Sequence, residues 1–125
     1  MLLFVSTRSL EKRDAKKTKL LRRGIEIIGV PASRAGLLSV TDILLILGSM
    51  NIASVFVEGG AGIFGQFLSQ NAVDKMILFV APSIFGHGLD AFGGLRPRSV
   101  THPLRLKSVS IRRVGEEVVI EGYLH

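Results

Sequence analysis

Residues 53–86 read ASVFVEGGAGIFGQFLSQNAVDKMILFVAPSIFG, in the order strand, glycine turn, helix, loop, strand. Val55, Phe56 and Val57 form a continuous apolar run, the pattern of a strand covered on both faces. The run stops at Glu58, Gly59 and Gly60. Ile63, Phe64, Phe67, Leu68 and Ala72 then recur at helical spacing and predict an amphipathic helix. A second apolar run, residues 76–80, is closed by Ala81 and Pro82. A helix whose first turn is built from glycines brings bare backbone N–H groups up to an anion.

Working outward, residues 2–5 predict a buried strand that ends in a polar turn, Ser6, Thr7, Arg8 and Ser9. Residues 11–23 are a helix candidate with a narrow stripe of Ala15, Leu20 and Leu21, and Gly24 suits its C-terminal cap. Residues 25–30 predict a strand and 31–36 a loop. A second helix is expected from Ser39 or Thr41 to Asn51. It is apolar nearly all round, which predicts heavy burial. Residues 86–103 read as a long glycine-rich loop, a kind that is more often functional than idle. Two runs with strand alternation, 104–114 and 117–124, are joined by Gly115 and Glu116 as a C-terminal hairpin.

The order β-α-β-α-β-α-β plus hairpin predicts an α/β fold: a mostly parallel sheet with flanking helices and antiparallel strands at one edge. We read the 125 residues as a single domain. Ligands in such sheets collect at the C-terminal ends of strands. Three turns fall there: 6–9, 30–32 and 58–62.

Composition narrows the chemistry. There is no cysteine, so thiolate chemistry and disulfides are excluded, and a cytoplasmic location is expected. No apolar run approaches the ~20 residues of a membrane span. Three scattered histidines and no carboxylate cluster argue against a dedicated metal site. The net charge is +6, and the basic residues crowd between Arg8 and Arg23. A nucleic-acid arm is one reading of that crowding, but the stretch carries no aromatic residue for base stacking. We read it as the solvated face of one helix, on a surface that suits a phosphorylated small molecule.

Gly60-Ala61-Gly62-Ile63-Phe64-Gly65 matches the dinucleotide fingerprint G-x-G-x-x-G between a strand and a helix. The acid expected about 20 residues further on is missing near Val80, and the motif comes third in the β-α series. A second reading is that the glycines only permit a tight turn and close packing.

A third reading takes in more of the chain. Val57-Glu58-Gly59-Gly60, Phe67-Leu68, Val73-Asp74-Lys75, residues 78–82 and Phe85-Gly86, with the tail from Leu106 to Gly122, resemble the reductase domain of riboflavin biosynthesis. That domain is the C-terminal half of a bifunctional deaminase–reductase and has a dihydrofolate-reductase-like fold. The resemblance covers almost the whole chain and implies a mixed sheet. It also implies NADPH-dependent reduction of a phosphorylated ribosylaminopyrimidine, the opened sugar becoming a ribityl chain. On this reading Gly59, Gly60, Ala61, Gly62, Ile63 and Phe64 lie along the cofactor pyrophosphate, and Ser6, Thr7 and Arg8 hold the adenosine 2′-phosphate. Glu58 faces the substrate. No catalytic side chain is assigned, and His87 is left outside the site. The plainer alternatives are that Glu58 pairs with a base or caps a turn, and that residues 6–8 are ordinary turn chemistry.

The family's domain begins upstream of where this chain resembles it, with elements that build most of the substrate pocket. We therefore expect 1–125 to be the C-terminal, cofactor-binding portion of the domain, and we expect exposed sheet edges to drive homo-oligomerisation, to a dimer. The alternative function is a non-catalytic nucleotide-binding or assembly module with the same fold.

Overall fold

The computed structural model describes residues 1–12, 14–95 and 103–125. It divides into two compact units, Met1–Phe56 and Val57–His125.

In the first unit, β1 (Leu2–Ser6) and β2 (Glu26–Val30) pair in parallel, with Leu3 beside Ile27 and Val5 beside Gly29. The expected polar turn after β1 is instead a short helix, α1 (Thr7–Leu10). Ser6 caps it by accepting a hydrogen bond from the Ser9 N–H. The chain turns back over β2 there, and Gly29 makes room: a Cβ at that position would come within 2.7 Å of Leu10 Cδ2. Helix α2 (Ala15–Arg22) starts four residues later than expected. Asp14 decides the start, because its carboxylate accepts from the Lys16 N–H and satisfies one of the helix's free donors. Gly24 closes this segment at φ +73°, as the sequence predicts. Lys17 Nζ donates to the Leu10 carbonyl at 2.6 Å and ties α2 to the end of α1. A cavity of about 210 Å³ lies among Leu3, Val5, Leu10, Leu20 and Ile27.

Helix α3 (Val40–Ser49) is capped by Ser39, whose hydroxyl accepts from the Asp42 N–H. Its expected heavy burial is not found. Val40 is buried, but Leu45 is 67% exposed. The expected strand at residues 55–57 is not found either. The backbone there joins no ladder among the described residues, and Phe56 is 76% exposed. An apolar run states a need for cover on both faces; within this unit that need is not met.

The second unit opens on the glycine turn and α4 (Ala61–Ser69). It continues with β3 (Lys75–Val80), β4 (Lys107–Val114) and β5 (Glu117–Tyr123), ordered β3-β5-β4 and antiparallel throughout. The hairpin is as expected, with Gly115 at φ +61° in its turn. Its second strand also receives β3, so among the described residues the parallel share is the β1–β2 pair, less than the mostly parallel sheet expected. The α/β architecture combines parallel and antiparallel pairing as expected, in two sheets. Val119 is fully buried at the middle of β5, opposite Phe79 and Arg112. Residues 96–102, part of the expected glycine-rich loop, lie outside the described residues.

Lys75 and Glu121 form an ion pair at 2.5 Å, and the same ammonium stands 5.5 Å from the centre of the Tyr123 ring. The hydrogen bond to Lys75 holds the Glu121 carboxyl below its ordinary value, and the bond to Glu121 raises Lys75. The lowered glutamate stabilises the fold above its ordinary value of 4.5, and that contribution is lost as pH falls through the lower native value. The raised lysine contributes below its ordinary value of 10.5 and loses its share as pH rises through the higher native value. Glu121→Gln is therefore expected to flatten the acid limb of a urea-midpoint-against-pH curve. Added salt should shrink the difference, because the pair is exposed.

Candidate cofactor site at the start of α4

Glycine chemistry shapes the approach to α4. Gly60 is the N-cap residue, in extended conformation, and contributes no side-chain cap. Its carbonyl accepts from the N–H groups of Ile63 at 2.9 Å and Phe64 at 3.2 Å. The N–H groups of Ala61 and Gly62, the first two residues of the helix, have no partner among the described residues. They add to the positive end of the helix dipole.

The four glycines have separate jobs. A Cβ on Gly59 would come within 2.6 Å of Ile63 Cβ, so this position must be bare for the turn to fold back on the helix. A Cβ on Gly60 or on Gly62 would meet nothing within 4 Å. The space in front of the first turn is therefore open, and any larger side chain would project into it. Gly65 is buried, and a Cβ there would run into the backbone carbonyl of Gly93. The third glycine of the G-x-G-x-x-G match thus admits a loop against the helix. In the dinucleotide fingerprint that position serves close packing of helix on strand.

Burial along α4 follows Ala61, Phe64, Gly65 and Leu68, a helical stripe that leaves Ile63 on the outer side over Gly59. The sequence placed Ile63 on the apolar face, so this one position is corrected. Helical spacing alone did not reveal that its cover is the preceding turn.

Glu58 is exposed and directly precedes the glycines, so it and residues 59–64 form one continuous surface within the second unit. Ser6, Thr7 and Arg8 belong to the first unit, at the C-terminal end of β1. The Ser6 hydroxyl is engaged as the α1 cap and also donates to Ser9 Oγ at 2.8 Å. Thr7 and Arg8 are exposed, and among the described residues Arg8 pairs with no carboxylate. His87 is exposed in the loop after β3. No group of three His, Asp or Glu side chains that could hold a metal ion occurs among the described residues. No described helix is long and apolar enough to cross a membrane.

A bare helix start after an apolar run is compatible with several nucleotide-binding families, and comparison with known proteins separates them. The family model of the RibD C-terminal domain matches residues 1–120. The chain belongs to this family. The riboflavin biosynthesis protein RibD of Aquifex aeolicus is 29% identical over 110 residues, covering 88% of this chain and 29% of that protein. Among solved structures, RibD of Acinetobacter baumannii superposes with a TM-score of 0.71 at 20% identity, over 85% of this chain and 28% of that one. A deaminase/5-amino-6-(5-phosphoribosylamino)uracil reductase of Thermotoga maritima gives a TM-score of 0.65 at 25% identity, over 98% of this chain and 36% of that one. The chain thus spans about three tenths of the length of the Aquifex relative.

Proposed function

We infer that this chain is the nucleotide-binding portion of a riboflavin-biosynthesis reductase, with NADPH as cofactor. Its substrate would be a 5-amino-6-(5-phosphoribosylamino)uracil-type phosphate, or the diaminopyrimidinone equivalent, whose ribosyl chain is reduced to ribityl. One observation carries the reading: α4 begins on an uncapped glycine, with open space before Gly60 and Gly62. A pyrophosphate would accept from the backbone N–H groups at the start of residues 61–64 and gain from the helix dipole. Arg8 and Thr7, with Ser6, would hold the 2′-phosphate; a guanidinium and hydroxyls suit a dianion. Glu58 would face the substrate. The cofactor, when bound, supplies the hydride, so the protein's work is to bind, orient and exclude water.

The reading extends to assembly as a homodimer, supported by the exposed Val109 and Ile111 on β4, at an edge of the three-stranded sheet. A cytoplasmic setting, with neither membrane nor nucleic acid as partner, completes it.

A second reading is a nucleotide-binding or assembly module with the same fold and without turnover. Titration of the purified chain with NADPH and, separately, NADH, followed by nucleotide fluorescence, is the first test. NADPH-selective binding is expected. If neither nucleotide binds, the cofactor role is lost and the assembly module becomes the better description. Turnover on the phosphoribosylamino substrate distinguishes an active reductase from a module that only binds.

A further inference from the structure

The loop after β3 meets α4 backbone to backbone at Gly93. The Gly93 N–H donates to the Ala61 carbonyl at 2.9 Å. A Cβ on Gly65 would collide with the Gly93 carbonyl and lie 3.3 Å from the Leu95 nitrogen. A Cβ on Gly93 would come within 3.3 Å of Ala61 Cβ and 3.5 Å of the Gly62 nitrogen. Gly94 follows at φ +74°, a conformation that favours glycine. Residues 93–95 therefore lie against the first two turns of α4, in a contact that admits no side chain from Gly65 and little from Gly93. The bonded carbonyl belongs to Ala61, the first residue of the helix.

We propose that this contact is a brace that fixes the direction of the α4 first turn, making Gly65 and Gly93 positioning residues for the nucleotide pyrophosphate although neither touches it. The inference rests on the reading of α4 given above. Its physical basis is that the N–H groups of Ala61 and Gly62 are aimed only as well as their own peptide planes are held. Gly60 holds them from one side through its carbonyl, and Gly93 holds them from the other through Ala61.

Gly93→Ala is the gentler variant, since its Cβ meets Ala61 at 3.3 Å, whereas Gly65→Ala forces the loop off the helix. Gly88→Ala is the control, because a Cβ there meets nothing within 4 Å. Two readouts are needed. Amide hydrogen exchange at Ile63 and Phe64, whose N–H groups are bonded to the Gly60 carbonyl, should quicken at least tenfold in Gly93→Ala and Gly65→Ala and stay unchanged in Gly88→Ala. Affinity for NADPH should fall about tenfold or more in the same two variants, while affinity for 2′-AMP, which carries no pyrophosphate, should not change. A variant that simply unfolds would lose both ligands. Unchanged exchange at Ile63 and Phe64 in Gly93→Ala overturns the brace whether or not nucleotide binds. Quickened exchange with full NADPH affinity overturns the positioning role. If the unaltered chain binds no NADPH, the proposed function and the ligand named here both fall, and the exchange comparison still decides whether the brace exists.

Discussion

Val119→Asp is expected to abolish the three-stranded sheet of the second unit, seen as loss of its far-UV circular dichroism and of its urea transition. Val119 is fully buried at the centre of β5, with Phe79 beside it on β3 and Arg112 beside it on β4. Truncation to alanine removes two buried carbons and leaves a small cavity, a loss of about 2 kcal/mol. A carboxylate at that site must also give up its hydration, and the total loss is on the order of 4 kcal/mol. That is a large part of the 5–15 kcal/mol that typically separates folded from unfolded domains. Arg112 stands directly opposite, so a variant that stays folded and gains salt sensitivity would show that the guanidinium had reached the new charge. Val118→Asp is the comparison. Val118 points to the other side of the strand and is exposed, so its substitution should shift the transition by less than about 1 kcal/mol.

Arg8→Ala is expected to weaken NADPH binding about 10- to 100-fold while leaving NADH affinity unchanged. Hydrogen bonds to charged groups contribute about 1.5–3 kcal/mol, and the guanidinium would meet only the 2′-phosphate, which NADH lacks. Because Arg8 is exposed and pairs with no carboxylate among the described residues, removing it leaves no buried charge behind. Arg8→Lys should recover part of the affinity, since the charge remains but the forked geometry does not. Equal weakening of NADPH and NADH would move Arg8 away from the 2′-phosphate and return residues 6–8 to the role of α1 cap and turn.

Local signals in the sequence carried well where the physics was local. The Gly-Gly pair before Ala61 set the start of α4, and Gly115 set the hairpin turn, because each conformation is decided within a few residues. The hydroxyl of Ser39 marked the start of α3 for the same reason. Asp14 was an equally local signal for α2. Its side chain satisfies a free donor of the helix two residues on, which the apolar stripe of Ala15, Leu20 and Leu21 does not mark. Non-local questions were harder. The apolar run at residues 55–57 and the all-round apolar surface of α3 announce that something should cover them, but not whether this unit provides it. The partner of Gly65 was likewise hidden, since it lies 28 positions away, in a loop for which the sequence names no contact. At the site itself, the glycine turn and Glu58 were legible as a unit. The engagement of Ser6 as a helix cap was not, because residues 6–9 read equally well as a turn.

Strand β4 has a further consequence. Its pairing with β5 slips between Lys107 and Ser110, and Ser108 sits at φ +48°, a left-handed kink that breaks the regular pleat. Only the stretch 110–114 keeps an even row of outward backbone groups, and it carries Arg112 and Arg113. A strand arriving from a second molecule would find room for a short antiparallel match and then a bend. Such a match consumes the straight part of both edges at once. Growth by repeated addition, as in a fibril, has no continuous template to copy along this side.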